Sequence, residues 1–162
     1  MHHAGISVPD LDRALAWYCA ALGLRPGFQF EVPPLKLRGG FALGDGDTGV
    51  ELIELAGSVP GVPKADPPSA NAVQGFNHVC FRVADLDAAY ARLLAHGAAA
   101  VWDPRDAPEP GMRMAYVTDP DGNLIELVAP VSGTSAPGTG SSQAGPSPVG
   151  PSPVGPSPVG TA

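Results

Sequence analysis

The chain is 162 residues long, and its 9 basic side chains against 16 acidic ones leave a net charge of −7. No basic stripe exists to neutralise phosphates, so nucleic acid is excluded as a partner. No run approaches the roughly 18 apolar residues that span a bilayer, and no basic-then-apolar leader is visible, so no membrane association and a cytoplasmic location are expected.

Residues 3–8 alternate, with Ala4, Ile6 and Val8 on one parity and His3, Gly5 and Ser7 on the other, the pattern of a strand with one buried face. Asp10 is placed to cap a helix whose apolar residues Leu11, Ala14, Leu15, Tyr18, Cys19 and Leu22 recur at helical spacing, and Gly23 stands where a left-handed stop belongs. Strands are expected over 28–32 and 35–43, divided by Pro33-Pro34. A turn at Gly44-Asp45-Gly46-Asp47 then leads to a strand over 50–55. The order of this half is βαβββ. Residues 57–75 are rich in Pro, Ser, Ala and Gly and read as a linker rather than an element.

From residue 76 the pattern returns. Val79, Phe81 and Val83 alternate with His78, Cys80 and Arg82; Asp85 then opens a helix carrying Leu86, Ala89, Tyr90, Leu93 and Leu94 that ends at His96-Gly97. Strands over 100–102, 113–118 and 123–128 complete a second βαβββ unit, the last two joined by the turn Asp119-Pro120-Asp121-Gly122. Beyond Pro130 there is no charge and no aromatic residue, and Gly-Pro-Ser-Pro-Val is written three times between Gly145 and Val159. Such a segment has nothing to bury and is expected to be a disordered spacer rather than a bound Pro-x-x-Pro ligand. The chain therefore divides into a first module at 1–56, a linker at 57–75, a second module at 76–130 and a tail at 131–162. Cys19 and Cys80 lack C-x-x-C spacing and read as small core hydrophobes in a reduced compartment.

The halves repeat each other, and that self-similarity governs the architecture. Their openings share His, Val, Asp-Leu-Asp and Ala; their closings share Leu-Ile-Glu-Leu, at 52–55 and 124–127. Each half thus contributes one His near its start and one Glu near its end, giving His3, Glu54, His78 and Glu126. Each His lies on the parity opposite the residues that pack against the helix, and so faces the front of its sheet. A lone strand His is ordinarily a hydrogen-bonded residue, and a lone Glu near a strand end ordinarily faces solvent. Repetition is what makes the four a candidate ligand set. Two imidazoles and two carboxylates suit one divalent metal ion (Zn, Ni, Co, Mn or Fe), with positions left for water or substrate. Glu51 has the opposite parity from Glu54 and reads as a surface residue. Arg82 shares the parity of His78 and suits a substrate carboxylate or phosphate as well as a surface salt bridge. Phe28, Phe30, Leu37, Trp102, Met114 and Tyr116 suit either an apolar pocket or ordinary core. His2 and His96 read as incidental, the first at an exposed terminus and the second at a helix C-terminus.

His3 with Val-Pro-Asp-Leu-Asp at 8–12, His78 with Val-Ala-Asp-Leu-Asp at 83–87, and Asp-Pro-Asp-Gly-Asn-Leu-Ile-Glu-Leu at 119–127 resemble the vicinal oxygen chelate superfamily. That superfamily includes glyoxalase I, methylmalonyl-CoA epimerase, extradiol dioxygenases, fosfomycin-resistance enzymes and bleomycin-binding proteins. The resemblance implies an α+β fold of two tandem βαβββ modules forming a U-shaped, partly closed mixed sheet with helices outside. It also implies a metal at the mouth of that sheet, chelated by substrate oxygens. The His, Glu, His, Glu set is most similar to the glyoxalase and epimerase branch, whereas ring-cleaving and fosfomycin enzymes use two His and one Glu. The expectation is a lyase or isomerase acting by proton transfer beside a chelated carbonyl, with Glu54 or Glu126 as base and acid. A small-molecule substrate would meet Arg82, Ser7, Phe28, Phe30, Trp102 and Tyr116, and a homodimer is the usual assembly. Glyoxalase I often carries an Arg four residues after its first metal His, where this chain has Ser7, which counts against a glutathione hemithioacetal. The alternatives are an antibiotic-like small-molecule binding and sequestration protein, and an iron-dependent ring-cleaving dioxygenase.

Overall fold

In the computed structural model, which describes residues 2–62 and 64–131, the first half becomes β1 (His3–Val8), α1 (Leu11–Leu22), β2 (Arg25–Val32), β3 (Leu37–Leu43) and β4 (Gly49–Leu55). Asp10 caps α1 by accepting from the Arg13 N–H, and Gly23 ends it at φ 70°, a left-handed position that glycine adopts without steric cost. The second half repeats this as β5 (Val79–Arg82), α3 (Leu86–Ala95), β6 (Ala99–Asp106), β7 (Met112–Thr118) and β8 (Leu124–Pro130), with Asp85 as the cap.

Each half forms a mixed four-stranded sheet, in the orders β1-β4-β3-β2 and β5-β8-β7-β6. The first and last strands of a module run parallel, and the remaining pairs are antiparallel. The two orders match position for position, so the internal repeat of the sequence is a repeat of the fold. The apolar stripe of α1 (Leu11, Ala14, Leu15, Tyr18, Ala21) and that of α3 (Leu86, Ala89, Tyr90, Leu93) cover the backs of the sheets, merging with Val8, Val50, Leu52, Val117, Ile125 and Leu127 into one core. Polar contacts then lock the modules together. The Tyr18 hydroxyl donates to Asp119 Oδ2 at 2.8 Å, Trp17 Nε1 to the His96 carbonyl at 2.8 Å, and Arg92 Nε to the Ala21 carbonyl at 2.8 Å, while Arg13 pairs with Asp121.

Several local expectations change. Pro33–Leu35 is a 3-10 turn that leaves Lys36 at φ 52°, so β3 starts later than the apolar pattern suggests. β6 runs on through Pro104, which an edge strand tolerates because its outer N–H needs no partner. Residues 57–75 contain a short helix, α2 (Pro67–Asn71), opened by a capping box between Asp66 and Ser69 and two prolines in its first turn. Cys80 is exposed and Cys19 half-buried, so the reading of both as core residues fails for Cys80, which lies on the front of its sheet. The tail expected from 131 onward lies, after Val131, outside the described residues. Among the described residues no helix is long and apolar enough to cross a membrane.

Candidate functional site

Strand register decides which side chains meet. In the first module β1 and β4 pair His3 with Gly49, Gly5 with Glu51 and Val8 with Glu54. His3, Gly49 and Glu51 therefore share the front face, and His3 Nε2 lies 3.3 Å from Glu51 Oε2. Glu54 takes the opposite face beside the helix, where its Oε2 accepts from the Leu11 N–H at 2.8 Å and faces Arg38 Nη1 at 3.4 Å. The expected pairing of His3 with Glu54 is thus corrected to His3 with Glu51. Glu54 instead holds the first turn of α1, where a carboxylate suits the exposed N–H groups.

The second module shows why the sequence match misleads. There β5 and β8 pair Cys80 with Glu126, and β7 and β8 pair Tyr116 with Glu126. The first module's counterparts of those pairs are Gly5 with Glu51 and Phe41 with Glu51. Val-Glu-Leu at 50–52 is therefore the partner of Ile-Glu-Leu at 125–127, and the longer Leu-Ile-Glu-Leu identity is out of register by three residues. His78 Nε2 lies 3.0 Å from Glu126 Oε2, so this half of the expected set does come together.

An aromatic row backs each pair. His3 stands edge-on to Phe41 with centroids 5.3 Å apart, and Phe41 leads to Phe30 at 6.4 Å and on to Phe28, stacked on Phe30 at 6.1 Å. His78 stands edge-on to Tyr116 at 5.5 Å, Tyr116 to Trp102 at 5.5 Å, and the Arg105 guanidinium lies 5.0 Å over Trp102. Of the expected pocket residues, Tyr116 is buried and Phe28 is 72% exposed. Phe30 lies flat across Gly39, where a Cβ would enter its ring.

The halves differ in their polar surroundings. Although Cys80 is exposed as a residue, partial desolvation of its sulfur and the Glu126 carboxylate push the thiol up to about 12, and burial with a hydrogen bond to Glu126 raises the Tyr116 phenol, so both remain protonated beside that carboxylate. Glu51 has Gly5 and Phe41 in the same places, neither with a side-chain donor. Arg82 shares the front face with His78 and Cys80 and makes no side-chain hydrogen bond or ion pair among the described residues. A groove of about 570 Å³ opens between β1 and the start of β5, lined by Ser7, Pro60, Lys64, Asn77, His78 and Asn123 among others.

Two His–Glu pairs result, one per module. Among the described residues no cluster of three or more His, Cys, Asp or Glu side chains is placed to hold a metal ion. The donor types fit a borderline divalent cation, and each pair is half of such a set. Sequence reasoning passed over Glu51, although its parity matches that of His3 once the strands are paired in parallel.

Paired βαβββ units with an imidazole and a carboxylate on each front face define a glyoxalase-type fold. Residues 1–127 match the family described as Glyoxalase/Bleomycin resistance protein/Dioxygenase superfamily, and the chain belongs to that superfamily. It is 29% identical over 126 residues to a probable lactoylglutathione lyase of Synechocystis sp., covering 78% of this chain and 92% of that one. It is 34% identical over 98 residues to an ethylmalonyl-CoA/methylmalonyl-CoA epimerase of Cereibacter sphaeroides, covering 60% and 71%. Among solved structures, glyoxalase I from Zea mays superposes with a TM-score of 0.65 at 23% identity, over 81% of this chain and 47% of the maize chain. The chain therefore spans about half the length of that structural relative.

Proposed function

We propose that this chain is a divalent-metal-dependent lyase or isomerase of the glyoxalase/epimerase type, moving a proton beside a carbonyl of a small molecule. The observation that carries the reading is the pair of His–Glu contacts at equivalent strand positions, 3.3 Å for His3 with Glu51 and 3.0 Å for His78 with Glu126. The sequence relatives named as a lyase and an epimerase support the same class.

His3, Glu51, His78 and Glu126 would hold the ion, whose chemistry when bound is Lewis acidity at a chelated oxygen. Each front face supplies only half of the ligands, and β1 and β5 are edge strands of their sheets. A second copy of the chain would complete the set by joining the first module of one protomer to the second module of the other. Glu126 is braced by His78, Tyr116 and Cys80, whereas the described polar partner of Glu51 is His3. Glu51 is therefore the carboxylate with freedom to swing toward substrate and carry the proton as general base and then acid. Arg82, on the same face and without a hydrogen bond or ion pair among the described residues, would hold an anionic group of the substrate bidentately. Phe28, Phe30, Trp102 and Tyr116 would exclude water around its body, and Ser7 lines the groove leading in.

The test is an elemental scan of the purified protein followed by solvent-deuterium exchange on a panel of α-hydroxycarbonyl and acyl-thioester compounds. Exchange that needs bound metal and disappears in Glu51→Gln supports the reading. Tight binding of the panel with no exchange in the metal-loaded protein overturns it.

A further inference from the structure

Asn77 and the linker helix hold the second His–Glu pair in place. Asp66 and Ser69 cap α2, and Ala70 packs against Tyr116 and Leu124 on the front of the second sheet. The last residue of the helix, Asn71, presents Oδ1 to Asn77 Nδ2 at 2.7 Å. With its amide nitrogen engaged there, Asn77 turns Oδ1 toward His78 Nδ1 at 3.0 Å. An amide oxygen can only accept, so Asn77 favours the imidazole proton on Nδ1 against the competing Glu126 carboxylate, 3.0 Å from Nε2 and likewise an acceptor, and a cation bound at Nε2 would leave the proton on Nδ1. Lys64 steadies the same corner by donating to the Phe76 and Asn77 carbonyls at 2.9 and 2.7 Å. Tyr116, pinned by Ala70, sets the plane of the imidazole through its edge-on contact.

Among the described residues the first module shows no such brace. His3 Nδ1 faces the ring of exposed His2, at 2.7 Å. The two ligand pairs are therefore unequal in rigidity although equal in position.

We infer that Asn77, oriented by Asn71 of the linker helix, is a positioning residue that fixes the ring and tautomer of His78, making the second module the preorganised half of the cation site. The inference rests on the metal-binding reading above. An outer partner of a ligating His is worth about 10- to 100-fold in metal affinity.

The experiment is a zinc titration against a chromophoric chelator, paired with nitrogen-15 NMR of the His78 ring, on the full chain and its Asn77→Ala, Asn77→Asp and Asn71→Ala variants. Asn77→Ala is expected to weaken zinc binding by about 10- to 100-fold and to abolish the protected Nδ1–H signal of His78. Asn77→Asp, which still accepts from Nδ1–H, should keep both close to wild type, and Asn71→Ala should fall between. Equal zinc affinity and an unchanged His78 signal in Asn77→Ala would overturn the inference, and so would failure of a folded Asn77→Asp to restore either. If wild type takes up no zinc, the metal-binding reading fails instead. The Nδ1–H signal of the metal-free protein then decides the positioning: loss in Asn77→Ala but not in Asn77→Asp upholds it, and absence in wild type refutes it.

Discussion

His3 Nε2 lies 3.3 Å from Glu51, while Glu54, three residues further along the same strand, points through the sheet to accept from the Leu11 N–H at 2.8 Å. The two carboxylates therefore do different work. Glu54→Gln weakens a charge-assisted contact at the start of α1 and is expected to cost about 1–2 kcal/mol, read as a lower urea midpoint with unchanged zinc uptake. Glu51→Gln should leave the unfolding free energy within about 0.5 kcal/mol of wild type and reduce zinc uptake, since a partly exposed front-face carboxylate contributes little to packing.

Tyr18 and Asp119 join the modules through a buried contact. Asp119, 3% exposed, also accepts from the Asp121 and Asn123 N–H groups and from Asn123 Nδ2, so it is fully satisfied only while the Tyr18 hydroxyl is present. Tyr18→Phe is expected to cost about 1–3 kcal/mol by urea unfolding.

Burial, first of all, holds the phenols of Tyr18, Tyr90 and Tyr116 above their ordinary value, with Asp119, Asp103 and Glu126 adding to it; Tyr90 is pushed up to about 12. A raised folded value means that the stabilisation is complete below the unfolded value near 10.0 and is lost as pH rises through the folded one. Stability should fall above pH ~10 by up to about 1.4 kcal/mol per pH unit for each tyrosine that stays protonated in the fold. Absorbance at ~295 nm should show the phenols ionising together with unfolding rather than before it.

Gly49 pairs with His3 across β1 and β4, and a Cβ there would run into the Ala42 carbonyl. Backbone cannot yield as a flexible side chain does. Gly49→Ala is expected to cost about 1–3 kcal/mol by the rule for overpacked sites. Because the strain falls under His3, zinc uptake should drop with it.

Arg82 is the arginine with no hydrogen bond or ion pair among the described residues, and it shares the face of His78 and Cys80. Arg82→Gln should leave folding and zinc uptake unchanged and raise KM by about tenfold or more for substrates with a carboxylate or phosphate, while uncharged analogues are unaffected. Equal KM changes for both classes would remove the anion-holding role.

Helix positions, caps and module order are legible in the chain because they rest on local chemistry: Asp10 and Asp85 as caps, Gly23 as a stop, and the alternating parity of the strands that open each half. The repeat is legible for the same reason. What the chain conceals depends on register between strands distant in sequence. Identity at Leu-Ile-Glu-Leu favours Glu54, yet parallel pairing to β1 brings Glu51 to His3, and only hydrogen-bond register separates the two. The role of the linker is likewise hidden, because five residues of helix have no readable periodicity and Asn77 acquires meaning only beside Asn71 and His78.

The central claim is that a His–Glu pair from the first module and one from the second module of another copy share a cation. Zinc content of co-expressed His3→Ala/Glu51→Ala and His78→Ala/Glu126→Ala chains tests it most directly. Neither variant alone should retain zinc, but mixed dimers rebuild one intact site each, restoring about a quarter of wild-type occupancy if chains pair at random. No recovery in mixed dimers, or zinc retained by either variant alone, would contradict it.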